Sequence, residues 1–140
     1  MTPAQIKLVQ QSFTKVAPIA DEVAELFYGR LFEIAPQVRK LFPDDLTEQR
    51  TKLMTTLTAI VKGLGHMDSI FPAAAALANR HVAYGVQAAH YPVVGEALLW
   101  TLEKVLGLSW TLDVAAAWAS AYASLSGFMI NSAQSREAVA

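Results

Sequence analysis

Apolar side chains recur every three or four positions along most of the chain, which is the spacing of one helix face. At the start, Thr2 and Gln5 form a capping-box pattern, Pro3 occupies the first helical position, and Pro18 ends the apolar run. A second apolar run covers about residues 19–35 and stops before Pro36. These patterns predict two consecutive amphipathic helices.

The same periodicity continues to the end of the chain with short breaks. Residues 36–46 predict a corner, because proline and aspartate interrupt the apolar pattern there. There is no convincing strand alternation, internal repeat or low-complexity linker. Six or seven helices in 140 residues predict one all-α domain, residues 1–140. The remaining predicted helices cover about residues 47–65, 71–83 and 92–107, with a last one that begins at Thr111 or Asp113.

The composition is more apolar than average, with 54% apolar and 16% charged residues. A bound apolar cofactor or a subunit interface could absorb the excess, and so could a well-filled helical core. The net charge of −1 and the lack of a basic block argue against nucleic acid as a partner. The absence of cysteine excludes disulfides and thiolate sites.

The chain has no secretory signal pattern at its N-terminus, and we expect a cytoplasmic protein. Residues 114–134 carry no charge and are long enough to span a bilayer. The segment is rich in Ala and Ser and ends in polar residues. We therefore expect a buried amphipathic helix there and no membrane partner.

His81 is the most informative candidate for chemistry. It shares a predicted helix face with Ala73 and Leu77, while no Gly-rich phosphate loop or His-x-x-x-His zinc pair occurs. A single imidazole on an apolar face suits a cofactor that brings most of its own ligands, and haem iron needs only one protein ligand. The alternative is a hydrogen-bonded structural histidine. Gln49 lies on the same apolar face of a predicted helix as Leu53. This is a second unusual feature, because a buried amide needs hydrogen-bond partners.

At this point the sequence resembles a known family. It is similar to bacterial single-domain globins and to the haem domain of flavohaemoglobins, which implies a globin fold of six to eight helices enclosing one haem b. The segments that carry the resemblance occur in the same order across almost the whole chain: Leu26 to Phe32, Ala35 to Phe42, Gln49 to Met54, Asn79 to His81, Ala89 to Gly95, and Ala117 to Tyr122.

The resemblance implies roles on the proximal side of the haem. His81 would bind the iron through one ring nitrogen and donate from the other to a carbonyl one turn back, near Leu77. Phe42 would wedge against the porphyrin. Arg80 would meet a haem propionate, although an ordinary solvated arginine is an equally good interpretation. Tyr91 matches the tyrosine of a network behind the histidine.

On the distal side, the resemblance implies that Tyr28 points its hydroxyl at the sixth coordination position. Gln49 would lie over the iron, with Leu53 beside it. A tyrosine on a helix face can also be ordinary core packing with a solvated hydroxyl.

One departure from the family pattern concerns the glutamate of the flavohaemoglobin proximal network. The spacing from Trp118 and Tyr122 puts that position at Ala133, and Glu137 lies one turn further on. We therefore expect a weaker electron push onto the iron. No reductase domain follows within the 140 residues, so turnover would need electrons from another protein.

The leading functional hypothesis is reversible binding of O₂, with NO and CO as further ligands. One alternative is NO dioxygenation with an external reductase, so enzyme activity stays open. Another is a haem-free globin-like interaction module in which His81 is structural. The physiological gas, its role in transport, storage or detoxification, and the choice between monomer and homodimer cannot be read from the sequence.

Overall fold

In the part of the chain that the structure describes, six α-helices joined by shorter segments make up the fold. The computed structural model describes the main chain of residues 1–139 and the side chains of all of these except Ala83 and residues 134–139. Within the described residues there is no β-strand, in agreement with the predicted all-α class. The helices are α1 Pro3–Val16, α2 Ala20–Ile34, α3 Thr47–Gly63, α4 Met67–Ala83, α5 His90–Leu106 and α6 Leu112–Val139, with 3₁₀ turns at Ala17–Ile19, Pro36–Leu41, Leu64–His66 and Gly107–Ser109.

The predicted start of α1 is confirmed in detail. The Gln5 main-chain N–H donates to Thr2 Oγ1, and the Thr2 N–H donates to Gln5 Oε1, each at 3.1 Å. These two bonds satisfy N–H groups that the first turn of a helix leaves without intrahelical partners. After α1, a 3₁₀ turn that contains Pro18 leads into α2.

The predicted start of α4 is wrong, because the helix begins at Met67 and not near Phe71. Asp68, which falls in the gap between two predicted helices, lies in the first turn of α4, where an acidic side chain complements the positive end of the helix dipole. Pro72 lies inside α4, where it cannot donate the main-chain hydrogen bond that another residue would give to the carbonyl of Asp68. The next helix, α5, also begins earlier than predicted, at His90.

Two clusters of buried apolar side chains hold the helices together. The larger cluster, called here the main core, draws on α1, α2, α3, α5 and α6 and includes Trp118, whose Nε1 donates to Ser12 Oγ at 2.8 Å. The smaller cluster lies mostly between α4 and α6 and is called here the α4 cluster. Its buried members are Ile70, Ala74, Ala78, Tyr91 and Met129.

The uncharged segment near the C-terminus lies within α6. It buries Val114, Trp118 and Met129 against the rest of the protein, as expected for a packed helix. None of the helices in the described part of the chain combines the length and the apolar character needed to cross a membrane.

Residues 36–46, called here the corner segment, connect α2 to α3 and contact the turn that follows α4. Gly85 in that turn has a φ of +89°, a left-handed conformation that favours glycine. A Cβ built on Gly85 would lie 3.4 Å from Leu41 Cδ2. The corner segment therefore packs against the turn that follows His81.

Candidate cofactor-binding site

His81 lies in the last turn of α4 with its ring half-buried. Its Nδ1 is 2.7 Å from the Leu77 carbonyl oxygen, which confirms the hydrogen bond expected one turn back. Burial lowers the pKa of the imidazole; the hydrogen bond to Leu77 opposes this, and the nearby charge of Arg80 adds to the lowering. A neutral imidazole that donates through Nδ1 carries its lone pair on Nε2, the form that binds metal ions.

Tyr91, in the first turn of α5, packs beside His81. The two ring centroids are 6.3 Å apart, with an angle of 27° between the planes. The Tyr91 main-chain carbonyl accepts a 2.6 Å hydrogen bond from the hydroxyl of Tyr122 on α6. Burial raises the pKa of the Tyr91 hydroxyl, and burial together with Tyr91 raises that of Tyr122.

The other two histidines have different surroundings. His90 Nδ1 accepts a hydrogen bond of 2.9 Å from the main-chain N–H of Gln87, in the turn that precedes α5. His66 is exposed in the 3₁₀ turn between α3 and α4. Of the three, His81 is the one whose Nδ1 is held by a main-chain carbonyl, which leaves Nε2 available for a metal.

Tyr28 lies in an aromatic cluster formed by α2 and the corner segment. Its side chain is 4% exposed, and its ring meets Phe42 edge to face at a centroid distance of 5.5 Å. Phe27 and Phe32 pack against the same ring at 5.0 and 5.9 Å. Phe32 also contacts Phe42 at 5.5 Å. The predicted Tyr28 and Phe42 are thus direct neighbours.

Gln49 and Leu53 follow each other on one face at the start of α3, and both are half-buried. Burial raises the pKa of the Tyr28 hydroxyl, and a side-chain hydrogen bond with Gln49 partly opposes this rise. Leu53 packs against the main core. Gln49 is therefore near enough to Tyr28 to affect the pKa of its hydroxyl.

The remaining predicted residues are Arg80, Ala133 and Glu137. Arg80 is exposed and adjoins His81 in sequence. Ala133 is half-buried on α6 and supplies no carboxylate. Glu137, the other candidate for that role, lies outside the residues whose side chains are described.

One residue of this region was not predicted from the sequence. Arg39, in the corner segment, places its guanidinium 5.0 Å from the centroid of the Phe32 ring and donates to main-chain carbonyls on the far side of Phe42. The available signal was a basic residue within the otherwise apolar run of Val38, Leu41 and Phe42. Periodicity alone does not reveal which carbonyls such a residue reaches.

The candidate residues thus form two groups. Tyr28 packs against Phe42 and has Gln49 nearby on one side, while His81 and Tyr91 pack together on the other. The contact of Leu41 with Gly85 joins the corner segment, which carries Phe42, to the turn that follows His81.

Comparisons with known proteins agree on one family. The sequence model described as Globin matches residues 25–129. A flavohemoprotein of Xylella fastidiosa is 33% identical over 99% of this chain, and one of Bacillus subtilis is 27% identical over 84%. This chain covers only 34% and 30% of those two proteins, about a third of their length.

Two solved structures resemble the fold closely. A bacterial globin from Campylobacter jejuni has a TM-score of 0.86 at 23% identity, covering 97% of this chain and 99% of its own. An engineered carbene transferase, made from a Rhodothermus marinus protein assigned as a nitric oxide dioxygenase, has a TM-score of 0.90 at 27% identity. That alignment covers 99% of this chain and 97% of the other.

Proposed function

This chain belongs to the globin family, and from that premise we propose that it binds one haem b and, through it, reversibly binds O₂, with NO and CO as further ligands. The observation that carries the proposal is the pair of residue groups described above. One contains a neutral histidine with a fixed tautomer, and the other contains a buried phenol with an amide neighbour.

The His81 side fits the requirements of a haem ligand. Its Nδ1 is held by the Leu77 carbonyl, which fixes the ring orientation and leaves the Nε2 lone pair for a metal. The lowered pKa keeps the imidazole in the neutral form that a metal needs. Tyr91 supports the ring from α5, and the exposed Arg80 would pair with a propionate at the protein surface.

The Tyr28 side fits the binding of a small, weakly polar ligand. Haem, when bound, would supply the iron centre at which a diatomic gas binds. The buried hydroxyl of Tyr28 offers one hydrogen-bond donor in a region otherwise lined by Phe27, Phe32 and Phe42. Gln49 orients that hydroxyl, while Leu53 excludes water beside it.

NO dioxygenation with an external reductase is the second candidate. Two findings favour it: the relatives described above are named flavohemoproteins, and the Rhodothermus protein is assigned as a nitric oxide dioxygenase. Ala133 favours a gas-binding role, because this position lacks the carboxylate that would make His81 a stronger electron donor.

The decisive experiment is an absorption spectrum of the purified protein after haem is supplied. We expect a Soret band and distinct ferric, ferrous, ferrous–O₂ and ferrous–CO spectra. A protein that takes up no haem would support the third reading, a haem-free interaction module. NO consumption measured with and without an added flavin reductase then separates gas binding from catalysis.

Two further predictions accompany this proposal and need their own measurements. A cytoplasmic location can be tested by fractionation of the source cells. The choice between monomer and homodimer can be tested by sedimentation at several protein concentrations.

A further inference from the structure

Arg39 binds the main chain of the corner segment at three successive carbonyls. Its Nη1 donates to Phe42 O at 3.4 Å and to Pro43 O at 2.9 Å, and its Nη2 donates to Asp44 O at 3.1 Å. The 3₁₀ turn ends at Leu41, and Phe42 is extended with φ −120° and ψ 153°. A planar group with several fixed donors suits a chain of this shape better than a single ammonium group does.

The other side of the same guanidinium rests on an aromatic ring. Its central carbon lies 5.0 Å from the centroid of Phe32, a distance typical of cation–π contacts. Phe32 in turn contacts both Phe42, at 5.5 Å, and Tyr28, at 5.9 Å. Arg39 therefore connects the main chain around Phe42 to the side-chain cluster that contains Tyr28.

We propose that Arg39 is a positioning residue for the distal pocket: it fixes the Phe42 ring and, through that ring, the orientation of the Tyr28 hydroxyl. Its effect on gas binding rests on the function proposed above. Phe42 meets Tyr28 edge to face, so a shift of the corner segment would move the surface against which the phenol is packed. Arg39 acts only through these neighbours.

Lys40 provides a matched control. It is the next residue in the same 3₁₀ turn, it carries the same charge, and its side chain is exposed. Lys40→Ala changes the net charge and local helix propensity as Arg39→Ala does. Arg39→Lys keeps the charge but loses the fork that reaches three carbonyls.

The first measurement uses the haem-free protein and does not depend on gas binding. In wild type and Lys40→Ala, NMR should give a strong nuclear Overhauser effect between the Tyr28 and Phe42 rings. We expect this effect to weaken at least about twofold in Arg39→Ala and Arg39→Lys. Without the three hydrogen bonds of Arg39, the corner segment would spend about half of its time in a conformer in which the two rings are apart, and the averaged signal would be halved. If it is unchanged in either Arg39 variant, or equally weakened in Lys40→Ala, the proposal is wrong.

The second measurement uses the haem-loaded protein. We expect both Arg39 variants to release O₂ about two- to tenfold faster, the effect of weakening one hydrogen bond, and to broaden the C–O stretching band of the CO complex. Lys40→Ala should match wild type in both. A lower unfolding temperature with an unchanged O₂ release rate and C–O band would reduce Arg39 to a stabilising residue and overturn the proposal. If wild type takes up no haem, the proposed function fails and the NMR result alone decides the role of Arg39.

Discussion

Gly95 on α5 lies in close contact with the aromatic ring of Tyr122 on α6. A Cβ at Gly95 would lie 2.6 Å from Tyr122 Cε2, closer than real side chains pack. The same tyrosine donates from its hydroxyl to the Tyr91 carbonyl, one turn before Gly95. The missing side chain therefore allows α6 to hold the start of α5 and, with it, the residue that packs beside His81.

We expect Gly95→Ala to destabilise the protein by about 1–3 kcal/mol, the usual cost of overpacking. Gly29→Ala is the control, because it is also helical but a Cβ there meets nothing within 4 Å. That change should be neutral or stabilising by up to about 1 kcal/mol. Urea unfolding measures both, and equal stabilities for the two variants would contradict the close packing of Tyr122.

We expect His81→Ala to lower haem affinity by about tenfold or more, since even the loss of a group that supports a ligand has effects of that size. His90→Ala should keep the haem and lose only the hydrogen bond from the Gln87 N–H in the turn before α5. Haem transfer to an acceptor protein gives the affinity, and the ferrous spectrum reports the ligand. A normal histidine-type spectrum in His81→Ala, together with its loss in His90→Ala, would identify the other histidine as the ligand.

We expect Tyr28→Phe to speed O₂ release about five- to hundredfold, which corresponds to losing a hydrogen bond worth about 1–3 kcal/mol in a water-poor pocket. CO is less polar, so its release should change little. Gln49→Leu should give a smaller effect, because it removes the partner of the donor and not the donor. Stopped-flow and flash photolysis provide the rates, and equal O₂ release in wild type and Tyr28→Phe would make the tyrosine a packing residue.

A carboxylate introduced at position 133 tests whether the missing glutamate weakens the network behind His81. We expect Ala133→Glu to raise peroxidase-like activity, because a more basic histidine ligand stabilises oxidised iron. In the natural chain, Tyr91→Phe should change haem reactivity only modestly. Resonance Raman spectroscopy follows the iron–histidine stretch, and an unchanged frequency in Ala133→Glu would mean that position 133 does not face the network.

Asp45, just before the start of α3, should make the free energy of unfolding depend on pH. Its carboxylate accepts hydrogen bonds from the main-chain N–H and the hydroxyl of Thr47, which hold its pKa below the usual 3.8. Because the pKa of Asp45 is lower in the folded protein than in the unfolded chain, these hydrogen bonds stabilise the fold at pH values above the unfolded pKa. The stabilisation disappears as the pH falls through the folded pKa.

The stability difference between wild type and Asp45→Asn should accordingly shrink as the solution is acidified below about pH 4, the unfolded pKa of an aspartate. Asp44→Asn is the control, because it removes the same charge from the neighbouring exposed residue. Thermal unfolding at several pH values gives both curves. A constant difference for Asp45→Asn would exclude the contribution of these hydrogen bonds.

The sequence predicted the features of the fold that depend on local chemistry. The capping box of Thr2 and Gln5 and the end of α2 before Pro36 involve residues within one or two turns of each other. The bond from His81 to Leu77 could be anticipated for the same reason, since positions four apart are neighbours on a helix. The start of α4 was missed because Asp68 suits both a turn and the first turn of a helix.

The contacts between elements could not be predicted in this way. The fork of Arg39 acts on a non-helical stretch whose shape depends on how α2 and α3 are placed. The packing of Tyr122 over Gly95 joins two helices and has no local signal beyond a glycine within an apolar helix. The roles of Tyr28, Gln49, Leu53 and Arg80 at a haem stay predictions that the variants above can test.

The two sides of the proposed haem pocket belong to different hydrophobic clusters. Tyr28 is part of the main core, whereas Tyr91 belongs to the smaller α4 cluster. Regions with fewer buried contacts open at lower free energy than the core around them. We therefore expect amide protons of α4 to exchange with solvent faster than those of α1, α2 and α5 before the cofactor arrives. Cofactor binding would then complete the folding of one half of its own pocket, so that affinity for the cofactor and the rigidity of α4 rise together.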